Sequence, residues 1–309
     1  MGALGQDPGP AALMDLTLTE DQALVQRTAR EFLTGRAGED VWKEITGLGW
    51  QVLPFEDFGF LEACLLIEEM GRARVVTPHL STVVCGMVAP SLLDEIREGA
   101  VCAYVPFSGA LVPWAAEADR LLVAGPSGVV VTDEVSCTPV EVVGPAPTYR
   151  VEFTSPTGQP LPASVESIES FGAAATCAEM VGGAQAVLDM TVEYAKTREQ
   201  FGKPIGTFQA VQHHCANMAM DVLGARFIAY EAIWHLDQGR EAATEVSVAK
   251  SWVSEAYERV CALAHQVHGA IGFTAEHDLH HYTRHAMSAA LSFGDADTHT
   301  DRLATLLGI

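Results

Sequence analysis

The sequence predicts a chain of α+β class that is mostly α: an N-terminal helical domain over 16–99, a small, reduced β domain over 100–166 and a C-terminal four-helix bundle over 167–309. Three observations lead there. Apolar or small residues recur at alternating three- and four-residue spacing through the last segment. Short β-branched runs broken by Pro, Gly, Ser and Asp fill the middle one. Helix-period patterns occupy the first. Residues 1–15, rich in Gly and Pro, are expected to form a flexible leader, with Met14 as the natural start.

In the first domain Thr19 can cap a helix running Glu20–Leu33, with Leu24, Val25, Thr28 and Phe32 on one side. A second helix is expected over 60–74, stopped by Val75-Val76-Thr77-Pro78, and a third over 81–97. The β domain should contain strands at 101–105, 120–123, 129–131 and 149–153. The bundle seam reads 174, 177, 181, 184, 188, 191, 195 on its first helix. It continues at 208, 211, 215, 218, 222, 225, 229, 232 on the second and 246, 249, 253, 256, 260, 263, 267 on the third. Leu279, Tyr282, Ala286, Ala289 and Phe293 form the fourth. Gly202 with Pro204, and then Gly239, end the first two helices. Gly182-Gly183 reads as bundle packing, since no strand precedes it to make a dinucleotide turn.

The net charge of −22 argues against nucleic acid and against anionic membrane surfaces as partners. It also makes any Arg placed in a pocket conspicuous. The seven Cys are odd in number and form no CxxC pair, as expected of reduced thiols in a cytoplasmic protein. No apolar run reaches the roughly 18 residues of a membrane span. The opening residues lack the layout of a signal peptide, and Gln6 stands where a myristoylation signal needs Ser or Thr.

Two segments carry chemistry. Tyr194-Ala195-Lys196-Thr197-Arg198-Glu199-Gln200-Phe201-Gly202 leads through Lys203-Pro204-Ile205-Gly206-Thr207 to Phe208-Gln209, a helix end, a tight turn and a new helix start. Gln266-Val267-His268-Gly269-Ala270-Ile271-Gly272-Phe273 repeats that design. Together, on this bundle, they resemble the C-terminal domain of the acyl-CoA dehydrogenases, which are flavin enzymes. Leu18-Thr19-Glu20-Asp21-Gln22 and Ile67-Glu68-Glu69-Met70-Gly71-Arg72 resemble that family's opening segments. The order of helices, small β domain and bundle is also the family's, giving an acyl-CoA dehydrogenase-like fold.

The resemblance implies FAD. In that family the flavin ring lies in one subunit, while the pyrophosphate and AMP are held by its neighbour through these two segments. Carried over, Arg198 should meet the pyrophosphate, a role that suits a guanidinium fork. Phe201, Phe208 and Gln209 should border the adenosine. Gln266, with the backbone at Gly269 and Ala270, should approach the AMP, although the family usually has Gly where this chain has Ala270.

The family's catalytic Glu falls, in an ungapped alignment from Tyr282-Thr283-Arg284, on Phe293, which cannot accept a proton. Some members place the Glu early in the first bundle helix instead, and that position falls near Gly172. Asp295 and Glu179 are the nearby carboxylates that could stand in as displaced bases. The strand and Trp-x-Thr segment that hold the flavin ring have no counterpart in 100–165, and Trp114 reads as core. The implied picture is a chain that serves a partner's site and has lost its own. It resembles the small, β-type subunits of the α2β2 enzymes that actinobacteria use on bulky CoA thioesters such as steroid side chains and rings. Its partner would be a full-length α-type acyl-CoA dehydrogenase subunit with which it shares FAD. Two alternatives stay open: a homomeric dehydrogenase using a displaced carboxylate, and a non-enzymatic scaffold on the same fold. His277, His280, His281 and His285 include i, i+4 pairs, but no Cys or carboxylate completes a zinc motif and no metal is expected.

Overall fold

In the computed structural model, residues 17–125, 128–132, 134–156 and 158–309 are described; the expected leader lies outside them. Helix α1 (Glu20–Leu33) starts at Thr19. The Gln22 N–H donates to the Thr19 hydroxyl (3.2 Å) and the Thr19 N–H donates to the Gln22 amide oxygen (3.0 Å), a reciprocal capping box. Helix α2 (Trp42–Gly47) and a 3-10 turn at Leu53–Phe55 follow, both too short to show a helical period. Helix α3 (Phe60–Ala73) is the central helix of this domain, with an unbroken buried run from Ala63 to Gly71.

The helix expected over 81–97 is three pieces: α4 (His79–Val88), a 3-10 turn at Pro90–Leu92, and α5 (Leu93–Arg97). Pro90 is the cause. It has no N–H to donate and pushes Ala89 out of the helical region, to φ −127° and ψ 72°.

Seven strands follow: β1 (Cys102–Val105), β2 (Ala110–Pro113), β3 (Arg120–Gly125), β4 (Gly128–Thr132), β5 (Ser136–Pro139), β6 (Thr148–Glu152) and β7 (Gln159–Leu161). One sheet has the order β1-β3-β4-β7, with β1 parallel to β3 and the rest antiparallel; the other is the antiparallel β2-β6-β5. Alternation along β1, β3 and β4 divides their side chains. Cys102, Tyr104, Leu122, Val129 and Val131 join the main helical core. Ala103, Val105, Leu121, Val123 and Val130 pack in a smaller core with Val112 and Val151 of the second sheet. Trp114 belongs to neither. It is half-buried in the turn after β2 at φ 65°, so its reading as core is corrected.

The bundle consists of α6 (Val165–Thr197), α7 (Gln209–Asp237), α8 (Ala243–His268) and α9 (Leu279–Leu291), with a fifth helix, α10 (Ala296–Leu307), laid against α8. A two-residue-strand hairpin, β8 (Glu199–Gln200) and β9 (Lys203–Pro204), joins α6 to α7. Seam residues 174, 177, 181 and 184 of α6, 218, 222, 225, 229 and 232 of α7, and 246, 249, 253, 256 and 260 of α8 are buried.

Helices α3 and α6 cross in backbone contact. A Cβ at Gly71 would overlap the carbonyl oxygen of Glu179, and one at Gly182 would overlap that of Glu68. Paired charges flank the crossing. Glu69 accepts from Nε and Nη2 of Arg30 in α1, at 2.9 and 2.6 Å. Buried Glu68 accepts from Arg226 and from the Tyr230 hydroxyl (2.7 Å) of α7. Arg72 donates to Asp189 at 2.6 Å. Buried carboxylates are tolerated because each is hydrogen-bonded to a cation.

Replacing Gly182 by Ala should therefore cost on the order of 3 kcal/mol, since two backbones must separate. Gly47→Ala, at the open end of α2 where an added Cβ meets nothing within 4 Å, should stay within about 0.5 kcal/mol. Urea midpoints for the two variants check this; equal midpoints would contradict the crossing.

Candidate functional site

The bundle's antiparallel course brings the α6–α7 and α8–α9 connections to one end. There Arg198 follows the last turn of α6, its N–H bonded to the Tyr194 carbonyl at 2.8 Å. The hairpin turns on Phe201 (φ 54°) and Gly202 (φ 76°). Two successive left-handed residues are what a two-residue hairpin of this hand requires. Phe201 stands 91% exposed and meets Phe208 edge-on, with ring centroids 6.1 Å apart. The Lys203 ammonium lies 4.5 Å over the Phe208 ring. Helix α7, 29 residues long, begins at Gln209 with no side-chain cap, leaving its first N–H groups open to an acceptor.

At the second connection α8 ends on His268, and Gly269 adopts φ 63° with ψ −144°, a region open essentially to Gly alone. A 3-10 turn (Gly269–Phe273) then carries Ala270. The two segments touch through His268. Its ring stacks on Tyr194 at 4.3 Å, reaches the Thr191 hydroxyl at 3.3 Å, and meets His277 at 4.7 Å. Burial, helped by His277 and His265, pushes the His268 imidazole down to about 4, so it is neutral at physiological pH.

Every cofactor residue expected from the sequence lies at this end. Arg198, Phe201, Gln209, Gln266, Gly269 and Ala270 are exposed, and Phe208 is half-buried. Lys196 is paired with Glu193 at 2.6 Å, whereas Arg198 enters none of the ion pairs among the described residues. An unpaired guanidinium, an uncapped helix start, amide side chains and a glycine-only turn fit the phosphate and adenine end of a dinucleotide. These groups face outward, away from the chain's own core.

The positions assigned to the base lie at the opposite end of α6. Phe293 follows α9 with φ 55°, and its ring covers Gly172 so closely that a Cβ there would overlap it. Tyr104 of β1 is stacked parallel to the same ring at 6.5 Å. The two alternative base positions are thus one place in space, filled by an aromatic ring. The backbone around it is held from outside. Lys250, fully buried, donates to the carbonyls of Ala290 (2.8 Å) and Gly294 (2.9 Å) and to the Ser254 hydroxyl (3.2 Å). His299 Nε2 meets the Phe293 carbonyl at 3.0 Å. Lys250 is a residue that the seam pattern does not mark; its signal in the sequence is a Lys one turn from seam residues 246 and 253.

Neither alternative carboxylate sits at this locus unoccupied. Asp295 caps α10: it accepts from the Thr298 N–H (2.8 Å) and hydroxyl (2.6 Å), which hold its carboxyl below the ordinary value. Glu179 lies 3.4 Å from His285. The four histidines diverge; His277 lies in the turn before α9 and the other three lie on the helix. His277 turns to His268, His285 to Glu179 and Tyr257, and the rings of His280 and His281 lie 4.0 Å apart. Among the described residues no three His, Cys, Asp or Glu side chains converge in a metal-binding arrangement. No helix among them is long and apolar enough to cross a membrane.

Residues 167–307 match the family model described as the acyl-CoA dehydrogenase C-terminal domain. The chain is 30% identical over 292 residues to the acyl-CoA dehydrogenase IpdE2 of Mycolicibacterium smegmatis, covering 88% of this chain and 91% of that one. Among solved structures it is similar to the Tcur3481-Tcur3483 steroid ACAD, with a TM-score of 0.87 at 24% identity, over 94% of this chain and 98% of the other. It is also similar to the ChsE4-ChsE5 complex of Mycobacterium tuberculosis, with a TM-score of 0.84 at 22% identity, over 96% and 99%.

Burial pushes the Lys250 ammonium down to about 8. An unfolded Lys keeps its proton to about 10.4, so between these values the unfolded chain binds more protons and stability should rise with pH. The gain should be on the order of 2–3 kcal/mol. Denaturant melts from pH 7.5 to 10 should show it in the wild type relative to Lys250→Met, in which it should be absent; parallel curves would refute the assignment.

Proposed function

The chain belongs to the acyl-CoA dehydrogenase family, and we propose that within it this polypeptide is the supporting half of a split enzyme. It presents Arg198, Phe201, Phe208, Gln209, Gln266, Gly269 and Ala270 to the pyrophosphate and AMP of an FAD whose flavin ring sits in a partner subunit. That partner carries the base and desaturates the α,β bond of an acyl-CoA thioester. The observation that carries this reading is a length. The locus at Gly172 and the phosphate-binding end at Thr197 lie on one helix, about 37 Å apart along its axis. No single dinucleotide spans that distance and still places its ring beside an α-proton at the first end. The two ends therefore serve different flavins, and here only the second is equipped.

When bound, FAD supplies the hydride acceptor for the desaturation. The part played by this chain is electrostatic and steric. Arg198 and the α7 N-terminus would neutralise phosphate charge, the glycine-only backbone at Gly269 would allow close approach, and the pair Tyr194–His268 holds the two segments in register. At its own base locus a phenyl ring can neither take nor return a proton. The likeness to heteromeric structures supports an α2β2 assembly with a full-length acyl-CoA dehydrogenase subunit. The likeness to a steroid ACAD favours a steroid-derived or comparably bulky acyl group.

Co-expression with the partner gene product tests this. Flavin and activity should appear only in the complex. Arg198→Ala should remove a charge-assisted contact of about 1–3 kcal/mol, lowering flavin affinity roughly tenfold or more. Asp295→Asn and Glu179→Gln should leave turnover within a few-fold of wild type. A yellow, active homomer made from this chain alone would overturn the reading, as would loss of turnover in either carboxylate variant.

A further inference from the structure

We propose that the cleft where the three domains meet, beside Arg74, His281 and Arg284, is a binding site for a phosphate group, separate from the flavin half-site. It is a cavity of about 260 Å³, with Val76 of the helical domain on one side, Gly144 of the β domain on another and His281 and Arg284 of α9 on the third.

The backbone at Arg74 is the first observation. This residue ends α3 with φ 58° and ψ 40°. That left-handed position usually belongs to Gly or Asn and costs other residues about 1–2 kcal/mol. Strain at such a place is reason to ask what the side chain does. Its side chain is only 16% exposed and donates to Asp278 at 2.9 Å, yet its Nε is buried without an acceptor. A buried donor left unpaired is costly, and an oxyanion in the cavity the side chain lines would relieve it.

Arg284 is the second. It is exposed at the cavity edge, one turn from His281 on α9. The ion pairs around α9 are Arg74–Asp278 and His285–Glu179, and neither uses it. Two guanidiniums converging on one cavity stand out in a chain with 18 basic and 40 acidic side chains. Planar forks of N–H donors suit phosphate oxygens.

The third is His281. Burial first, then Arg74, His280 and Arg284, hold its imidazole below the ordinary value, with Asp278 acting in the opposite direction. A bound dianion would favour its protonated form, so binding should strengthen as pH falls. The cavity admits a phosphate, either free or as the end group of a larger ligand.

Calorimetry on the full chain carrying Arg198→Ala, which removes the other anion site, tests the proposal at fixed ionic strength. Inorganic phosphate should bind saturably and more tightly at pH 6 than at pH 8. Arg284→Gln should weaken it at least tenfold. Arg74→Gly, which keeps the left-handed backbone, should do the same, and His281→Gln should flatten the pH dependence. Adenosine 3′,5′-bisphosphate binding more tightly than phosphate points to a nucleotide end group, and equal affinity points to the free ion. Loss of all binding in the Arg198→Ala parent, no saturation, or affinity in the Arg284 and Arg74 variants equal to the parent's would each overturn it. The flavin content of the co-expressed complex reports on Arg198 independently.

Discussion

The rise of α6 governs what this molecule can do. A continuous 33-residue helix fixes the separation of everything attached to its two ends. One end meets β1 and the turn after α9; the other leads into the hairpin and faces the turn after α8. Because neighbouring bundle helices run antiparallel, each end collects connections from alternate helices. The fold therefore creates two remote stations rather than one cleft.

The helical domain is fixed to this rod by an arrangement that leaves little freedom. At the α3–α6 crossing Gly71 and Gly182 let carbonyl groups of the opposite helix lie where side chains would otherwise be. Sliding one helix along the other would drive a Cβ into backbone. The adjacent acids Glu68 and Glu69 point to opposite partners, α7 and α1, so the same helix is held from two sides. Stripping either acid of its cation would leave a charge in a desolvated place, which is far more costly than losing a surface pair.

Much of this was legible in the chain, and the misses have physical causes. Thr19 and Gln22 announce the start of α1 because capping is local. The long seams of α6, α7 and α8 are visible because many turns repeat one spacing. Strands β1, β3 and β4 stand out because both their faces are buried and their residues are mostly apolar. Strands β5 and β7 do not, being polar and largely exposed, and they exist only through pairing with β6 and β4. Helix α10 escaped notice because its one buried side chain is His299. At the candidate site the motif residues could be read in order. That Phe293 and Gly172 share one position could not, since the contact joins residues distant in the chain.

Lys250 and His299 hold the turn bearing Phe293 through carbonyl oxygens: Lys250 takes those of Ala290 and Gly294, and His299 takes that of Phe293. None of these anchors senses which side chain projects from the turn. A lineage can therefore exchange the reactive group at that spot for an inert one without rebuilding the loop. The path of the backbone at that spot is thereby separable from the side chain it carries.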